Sequence, residues 1–412
     1  MHIIQTPLFD FEAFIAKKDN DRLAMVLEAL PAEGLVSALE KEHWTGRKGY
    51  SVRGMWSALI AGVLRQAHSL TEVVRLLERD KDTRLVCGFS QDNIPSHDAL
   101  SRFLKKLVVH EDLLEKCFSE LVKEARGNLP EFGDKLAVDS TDIRAYANGH
   151  RKIPSDTDAR WGAKGASHHG APAKDKQRET YYWFGYKLHL VVDALYELPV
   201  SFKLTAADES DTTQMVDLLK KAGANQAESR PKAVIADKGY DSRDNNKFIF
   251  EKCQAAPIIP IRERAGEQLP DICNAKGTPL CSCGLAMSYW GRDGNYLKYR
   301  CPETVGKAVC QSRFKCTASP YGYVLKLPIA DDPRRHPPIP RESQKWQRLY
   351  KLRTAVERVN SRVKELLGLG SITVRGKAKV AVKALLSLVV MLAAAVAMAR
   401  RNRLAELRVL MT

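Results

Sequence analysis

The sequence predicts an α/β protein: a mixed sheet flanked by helices, with an all-helical N-terminal domain and a Cys-rich β insertion. Three observations lead there. Up to about residue 130, apolar residues recur at helical spacing. From Asp134 onward, short runs of β-branched and aromatic residues alternate with amphipathic stretches, the pattern of a sheet with helical crossovers. Six of the nine cysteines then fall between Cys273 and Cys316, in a stretch unlike either neighbour.

In the N-terminal part, 56–66, 70–78, 98–109 and 111–124 each carry helical periodicity. The third opens at IPSHDAL, where Ser96 suits an N-cap and Asp98 the first turn. Arg47, Lys48, Arg53, Arg65, Arg75, Arg102, Lys105 and Lys106 decorate these helices and the turn before them. A short helix, a turn and a capped basic helix suit either DNA reading or dimerisation. Strands are expected at 136–146, 181–195 and 198–207. Between the first two, 151–180 is polar and rich in Gly, Ala, Lys and His, so it is expected to be a loop, with His168 and His169 as ordinary loop residues. A helix at 211–222, a short strand within 232–241, a helix at 242–252 and a strand at 256–262 continue the alternation. The insertion reads as a small ribbon: CSCG, a strand-like AMSYWG, the turn RDGN and a strand-like YLKYRCP. DDPRRHPPIP at 331–340 reads as an extended linker. The expected division is therefore 1–130 (helical, DNA-binding or dimerising), 131–262 (first part of the catalytic α/β domain), 263–340 (insertion and linker) and 341–412 (closing helices).

Those closing helices include 350–364, YKLRTAVERVNSRVK. At 100° per residue, Tyr350, Arg353, Glu357 and Lys364 fall within about 60° of one another. Leu352, Val356, Val359, Val363 and Leu366 form an apolar stripe on the adjacent face. One side of the helix is thus expected to be buried, while the next presents an acid, two cations and a phenol. Further on, 384–399 is apolar, but shorter than the roughly 20 residues that a membrane span needs, so a buried or oligomer-facing helix is expected and no membrane.

The formal charge of +16 favours a polyanionic partner, nucleic acid before membrane lipid. The first residues lack a basic start followed by an apolar core, so a cytoplasmic protein is expected. In that compartment clustered cysteines suggest metal rather than disulfides. Cys281, Cys283, Cys301 and either Cys310 or Cys316 would make a tetrahedral thiolate zinc site; its knuckle, C-x-C-G, is one residue shorter than the usual C-x-x-C, and free reduced thiols are the alternative.

Asp139 follows the run LAV, and Asp237 follows VIA, with Gly239 supplying a tight exit. Glu357 stands beside Arg353 on the late helix. Three carboxylates on rigid elements can hold two divalent cations through oxygen. Two such cations about 4 Å apart would activate a water or a 3′-hydroxyl and stabilise the leaving oxygen of an in-line phosphoryl transfer. Tyr350, Arg353 and Lys364 would then hold the phosphates of the cut strand. Asp142, Asp193 and Asp241 are competing acids, and a plain i,i+4 ion pair is the competing account of Arg353 and Glu357. Trp161, Trp183 and Trp290 are candidates for stacking on a flipped base, against ordinary core packing.

VDSTD at 138–142, ADKGYDS at 236–242 and Y-x2-R-x3-E-x6-K at 350–364 together resemble bacterial insertion-sequence transposases of the DDE type, in the branch marked by a Tyr-Arg-Glu-Lys helix. WFGYKLHLVVD at 183–193 and the stretch 51–107 resemble the same group, so the likeness spans roughly 45–375. It implies a ribonuclease-H-like catalytic fold, Mg²⁺ or Mn²⁺ as cofactor, and double-stranded DNA as partner, both at the terminal inverted repeats and at the target. By that resemblance Asp139, Asp237 and Glu357 form the catalytic triad, and Tyr350, Arg353 and Lys364 grip the cleaved end. His189, on a strand near this site, is expected to be structural. Bringing two ends together implies at least a homodimer at work. A DNA-binding regulator without catalysis and a nuclease that cuts without joining are the alternative functions.

Overall fold

The computed structural model describes residues 21–42, 49–165, 180–226, 230–262, 273–274, 277–311 and 316–401. His168, His169, Arg47 and Lys48 lie outside the described residues. The N-terminal region folds into helices α1 (Asp21–Ala29), α2 (Glu33–Glu42), α3 (Val52–Leu64), α4 (Leu70–Arg79), α5 (Lys81–Val86), α6 (His97–Val109) and α7 (Glu111–Asn128). Ser96 caps α6 as expected, its hydroxyl accepting from the Ala99 N–H at 3.3 Å. Ser51 and Ser69 cap α3 and α4 in the same way.

The sheet is built from β1 (Lys135–Arg144), β2 (Arg160–Gly165), β3 (Thr180–Asp193), β4 (Leu198–Ala206), β5 (Ala233–Ala236) and β6 (Ala256–Ile258), with α8 (Asp211–Asn225) and α9 (Arg243–Glu251) as crossovers. β1 lies antiparallel to β3 on one side and parallel to β5 on the other, and β6 extends the parallel half. β4 pairs antiparallel with the C-terminal half of β3. Gly185 pairs with Arg144 and also with Arg160, so β2 lies on the β4 side of β3, against its N-terminal half. Three antiparallel strands followed by two parallel ones, with the first strand central, is the ribonuclease-H-like arrangement.

β2 corrects the expectation of a loop through 151–180. Its sequence, RWGAKG, has two glycines and no β-branched residue, so composition hides it. Close packing explains the strand: a Cβ on Gly162 would come within 2.7 Å of the Trp183 ring and 2.8 Å of the Ala207 carbonyl oxygen. The linker is corrected too. Residues 331–340 are not a free extended spacer, because buried Arg334 reaches buried Asp241 at 2.9 Å and Arg341 donates to the Ile259 carbonyl at 2.9 Å. Buried charges need such partners, and they clamp the segment onto the end of β6. In the insertion, β7 (Ser288–Asp293) and β8 (Tyr296–Arg300) form the expected ribbon, joined by an unforeseen β9 (Val324–Pro328). This sheet has its own small core of Met287, Leu297, Tyr299, Leu327 and Ile329.

The expected single helix over 350–364 is two helices, α10 (Gln344–Lys351) and α11 (Thr354–Glu365). Leu352 and Arg353 form a tightened turn between them: the Arg353 N–H bonds the Tyr350 carbonyl and the Val356 N–H the Arg353 carbonyl, each three residues back. The apolar stripe survives the break, with Val356, Val359 and Val363 fully buried against β1 and β3. Finally α12 (Lys377–Arg400) carries the apolar 384–399 segment. It is long and apolar enough to cross a membrane, yet 94% of its apolar window is buried inside the fold. It packs on α1, α3, α6, α7 and β4, so that one apolar core runs from the N-terminal helices into the sheet.

A buried ion cluster fixes α11 in place. Glu197, at the β3–β4 turn and 2% exposed, accepts from Arg358 at 2.6 Å and pairs with Arg362 at 2.6 Å. Removing one partner of such a cluster strands the others, typically at about 3–5 kcal/mol. Glu197→Gln is therefore expected to lower urea-unfolding stability by about 3 kcal/mol; a change under about 1 kcal/mol would show that the apolar stripe alone docks α11.

Candidate active site

The parallel pairing of β1 and β5 ends its register at Val138 opposite Ala236. The next residue on each strand is an aspartate, Asp139 and Asp237, so the backbone ladder sets the two acids on neighbouring strands about 4.8 Å apart. Asp237 leaves β5 into a short 3₁₀ turn, Lys238–Tyr240, and its Oδ1 accepts from the Gly239 N–H at 2.7 Å. A Cβ on residue 239 would stand 2.8 Å from that same oxygen, which is why glycine is needed there.

Glu357 projects from the first turn of α11. Asp139 and Glu357 line one cavity of about 670 Å³, together with Lys164 of β2, Lys364 of α11 and His68 from the α3–α4 turn. Burial pushes the Asp139 carboxyl up to about 6, against the pull of Lys164 and a hydrogen bond from the Ser140 backbone; the negative charge of Asp237 pushes the same way as burial, and Arg353 opposes it weakly. Arg353 also pairs with Glu357 at 2.7 Å, so its guanidinium carries charge from the third acid toward the first. Tyr350 stacks on Trp346, ring centroids 4.9 Å apart and 14° from parallel, with the Arg353 guanidinium 6.0 Å from its ring. Lys364 is bonded to Asp142 at 3.0 Å.

Each competing acid has a structural partner. Asp142 holds Lys364. Asp193 is fully buried and accepts from the Gly133, Leu195 and Tyr196 N–H groups. Asp241 is buried against Arg334, the Arg262 N–H and Asn246. His189 is fully buried, 2.9 Å from the Thr205 hydroxyl, and burial holds it well below the usual histidine range; it is a neutral structural group. Trp183 belongs to the core, its Nε1 donating to the Tyr186 carbonyl. Trp161 and Trp290 are exposed, the first packed between His150 and Phe184, the second beneath the Arg300 guanidinium.

The five candidate zinc cysteines are only partly gathered. Cys283 lies 3.8 Å from Cys316, and hydrogen bonding to Cys310 and Cys316 pushes its thiol up to about 11. Cys281 packs instead toward the ribbon core, and the Cys301 N–H bonds the Tyr323 carbonyl. Among the described residues no three His, Cys, Asp or Glu side chains close around one point as a metal cage, either here or at the acids. The donor chemistry at the acids nonetheless fits a hard cation: oxygen ligands from Asp139 and Asp237 on adjoining strands, with like charge between them that a cation relieves.

A ribonuclease-H-like sheet with one acid midway along β1 and one just past the end of the neighbouring β5, and a third facing the Asp139 cavity from a late helix, marks an enzyme of nucleic-acid phosphoryl transfer. The family described as Transposase DDE domain matches residues 130–393, and one described as Transposase domain (DUF772) matches 9–106. The chain belongs to the DDE-domain transposases, enzymes that depend on divalent metal. No curated protein matches it. Among solved structures, a cryo-electron microscopy structure of the piggyBac transposase synaptic complex with hairpin DNA is 10% identical, over 99% of this chain and 80% of that one, at a TM-score of 0.37. That likeness is too low to inform the site.

Gly239→Ala tests the aspartate turn. The added methyl must displace Asp237 Oδ1. Metal-dependent activity is expected to fall about tenfold or more, as for other small misplacements of catalytic groups, while the thermal midpoint moves by only a few degrees. Unchanged activity would mean that Asp237 is not needed where it stands.

Proposed function

We propose that this transposase binds the terminal inverted repeats of an insertion sequence, nicks the DNA there, and joins the freed 3′-hydroxyl to target DNA. The carrying observation is the shared placement of acids: Asp139 on β1 and Asp237 just past the end of the neighbouring β5, with Glu357 facing the Asp139 cavity from α11. These three would hold Mg²⁺ or Mn²⁺, which when bound supplies an activated oxygen nucleophile and charge stabilisation for the leaving oxygen. The chain's own cations position the DNA. Arg353 pairs with Glu357 and its charge also acts on Asp139, so moving its guanidinium onto a phosphate frees Glu357 as a ligand. Lys364 on α11, steadied by Asp142, and Tyr350 on α10, stacked on Trp346, would grip the cleaved strand. Synapsis of two ends makes a homodimer the working form, in the cytoplasm with the nucleoid DNA. Within this reading, residues 1–130 serve end binding or dimerisation, 131–262 and 341–412 catalysis, and 263–340 form an appended module.

The test is cleavage of a labelled duplex carrying the element's end, comparing the natural protein with Glu357→Ala. The variant is expected to bind the end within about threefold while cutting at least about a thousandfold more slowly in Mg²⁺, equivalent to about 4 kcal/mol of barrier. Equal cutting would reduce Glu357 to a surface ion pair. Binding without cutting by both proteins would favour the regulator, and cutting without joining to a supplied target would favour the nuclease.

We also propose that the insertion binds a structural zinc through Cys281, Cys283, Cys301 and either Cys310 or Cys316, supported by the approach of Cys283 to Cys316 at 3.8 Å. Crowded thiols resist ionising together unless a cation joins them. Metal analysis of purified protein is expected to find about one zinc per chain, and far less than one would overturn the site.

A further inference from the structure

Of the cations at the cleavage cavity, most are already engaged. Arg353 is paired with Glu357 and Lys364 with Asp142. Lys164 is different. It is exposed, it lines the cavity that holds Asp139 and Glu357, and its side chain forms no ion pair or hydrogen bond with the described residues. We propose that Lys164 is a further DNA-positioning residue, holding a backbone phosphate that flanks the scissile one against the β2 wall of the cavity.

Three points support this, given the DNA-cleaving role set out above. Lys164 comes from β2, on the other side of β3 from β1, so it reaches the acids from a different element than the Tyr-Arg-Glu-Lys segment. A strand clamped from both sides would be gripped by cations on two separate mounts. Second, β2 is rigidly set: Gly162 lies flat on the Trp183 ring, Trp161 packs between His150 and Phe184, and Lys164 pairs across from Tyr181. Such a mount fixes where the lysine stem leaves the strand. Third, Lys164 and Asp139 line the same cavity, and the Lys164 charge opposes the effect of burial on that carboxyl. A lysine ammonium acts as a compact point charge with rotatable donors, tolerant of phosphate geometry. This residue sits on the strand that composition hid, so no motif reading marks it.

The experiment uses the full chain with an end duplex in which single phosphates flanking the cleavage position are replaced, one at a time, by neutral methylphosphonates. Binding is measured in Ca²⁺ for the natural protein, Lys164→Ala and Lys164→Arg, and single-turnover cleavage in Mg²⁺. Lys164→Ala is expected to weaken binding about five- to tenfold and to reduce the salt slope by about one. One methylphosphonate should cost the natural protein and Lys164→Arg a similar factor, yet cost Lys164→Ala almost nothing. Cleavage by Lys164→Ala should fall about tenfold at saturating protein, with Lys164→Arg recovering most of it. If every methylphosphonate costs all three proteins alike, Lys164 holds no phosphate and the proposal is overturned. Should the natural protein fail to cut in Mg²⁺, the cleavage reading fails by itself, and the binding coupling still decides Lys164.

Discussion

The candidate site depends most on how α11 is held against the sheet. The two aspartates need no such help, because the β1–β5 ladder places them through backbone hydrogen bonds. Glu357 is more than a hundred residues further on and reaches the cavity only because Val356, Val359 and Val363 bury themselves on β1 and β3. Apolar packing alone tolerates sliding, and one turn of slip would carry Glu357 about 5.4 Å along the helix. The buried Glu197 cluster opposes that slip, since Arg358 and Arg362 can reach one carboxylate in only one register. A directional polar contact thus fixes what the non-directional stripe holds.

Charge then organises the space between the acids. Asp139 is pushed upward mainly by burial, and the neighbouring Asp237 adds to this. Lys164 and Arg353 pull the other way, from a strand and from a helix junction. The break between α10 and α11 has a consequence here. By setting Arg353 in a tightened turn, it lets one guanidinium serve Glu357 and the Tyr350 face at once. DNA phosphates and a divalent cation would compete for these same groups, so substrate and metal binding are coupled through Arg353.

Much of this was legible in the sequence, where local pattern and tertiary demand agree. β1, β3 and β4 combine β-branched runs with burial, and the stripe on α11 is unambiguous even across the helix break. The apolar 384–399 segment was rightly expected to be buried. What stayed hidden is what tertiary contact alone creates. β2 exists because Gly162 can lie against Trp183, and β9 because the ribbon's apolar face needs Leu327. Asp142, Asp193 and Asp241 look like Asp139 and Asp237 in sequence; only their partners, a lysine, three N–H groups and a buried arginine, set them apart. Cysteine spacing likewise could not show that Cys281 turns to the ribbon core while Cys283 meets Cys316.

Under the proposed function, three acids from three distant parts of the chain share one metal centre. The most direct measurement is diffraction at the manganese absorption edge from crystals of the protein with its end duplex and Mn²⁺. The expected result is anomalous density about 2.2 Å from carboxylate oxygens of Asp139, Asp237 and Glu357, with Arg353 moved from Glu357 onto a phosphate. Manganese bound elsewhere, or Glu357 still paired with Arg353 while the metal is held by the aspartates alone, would contradict it.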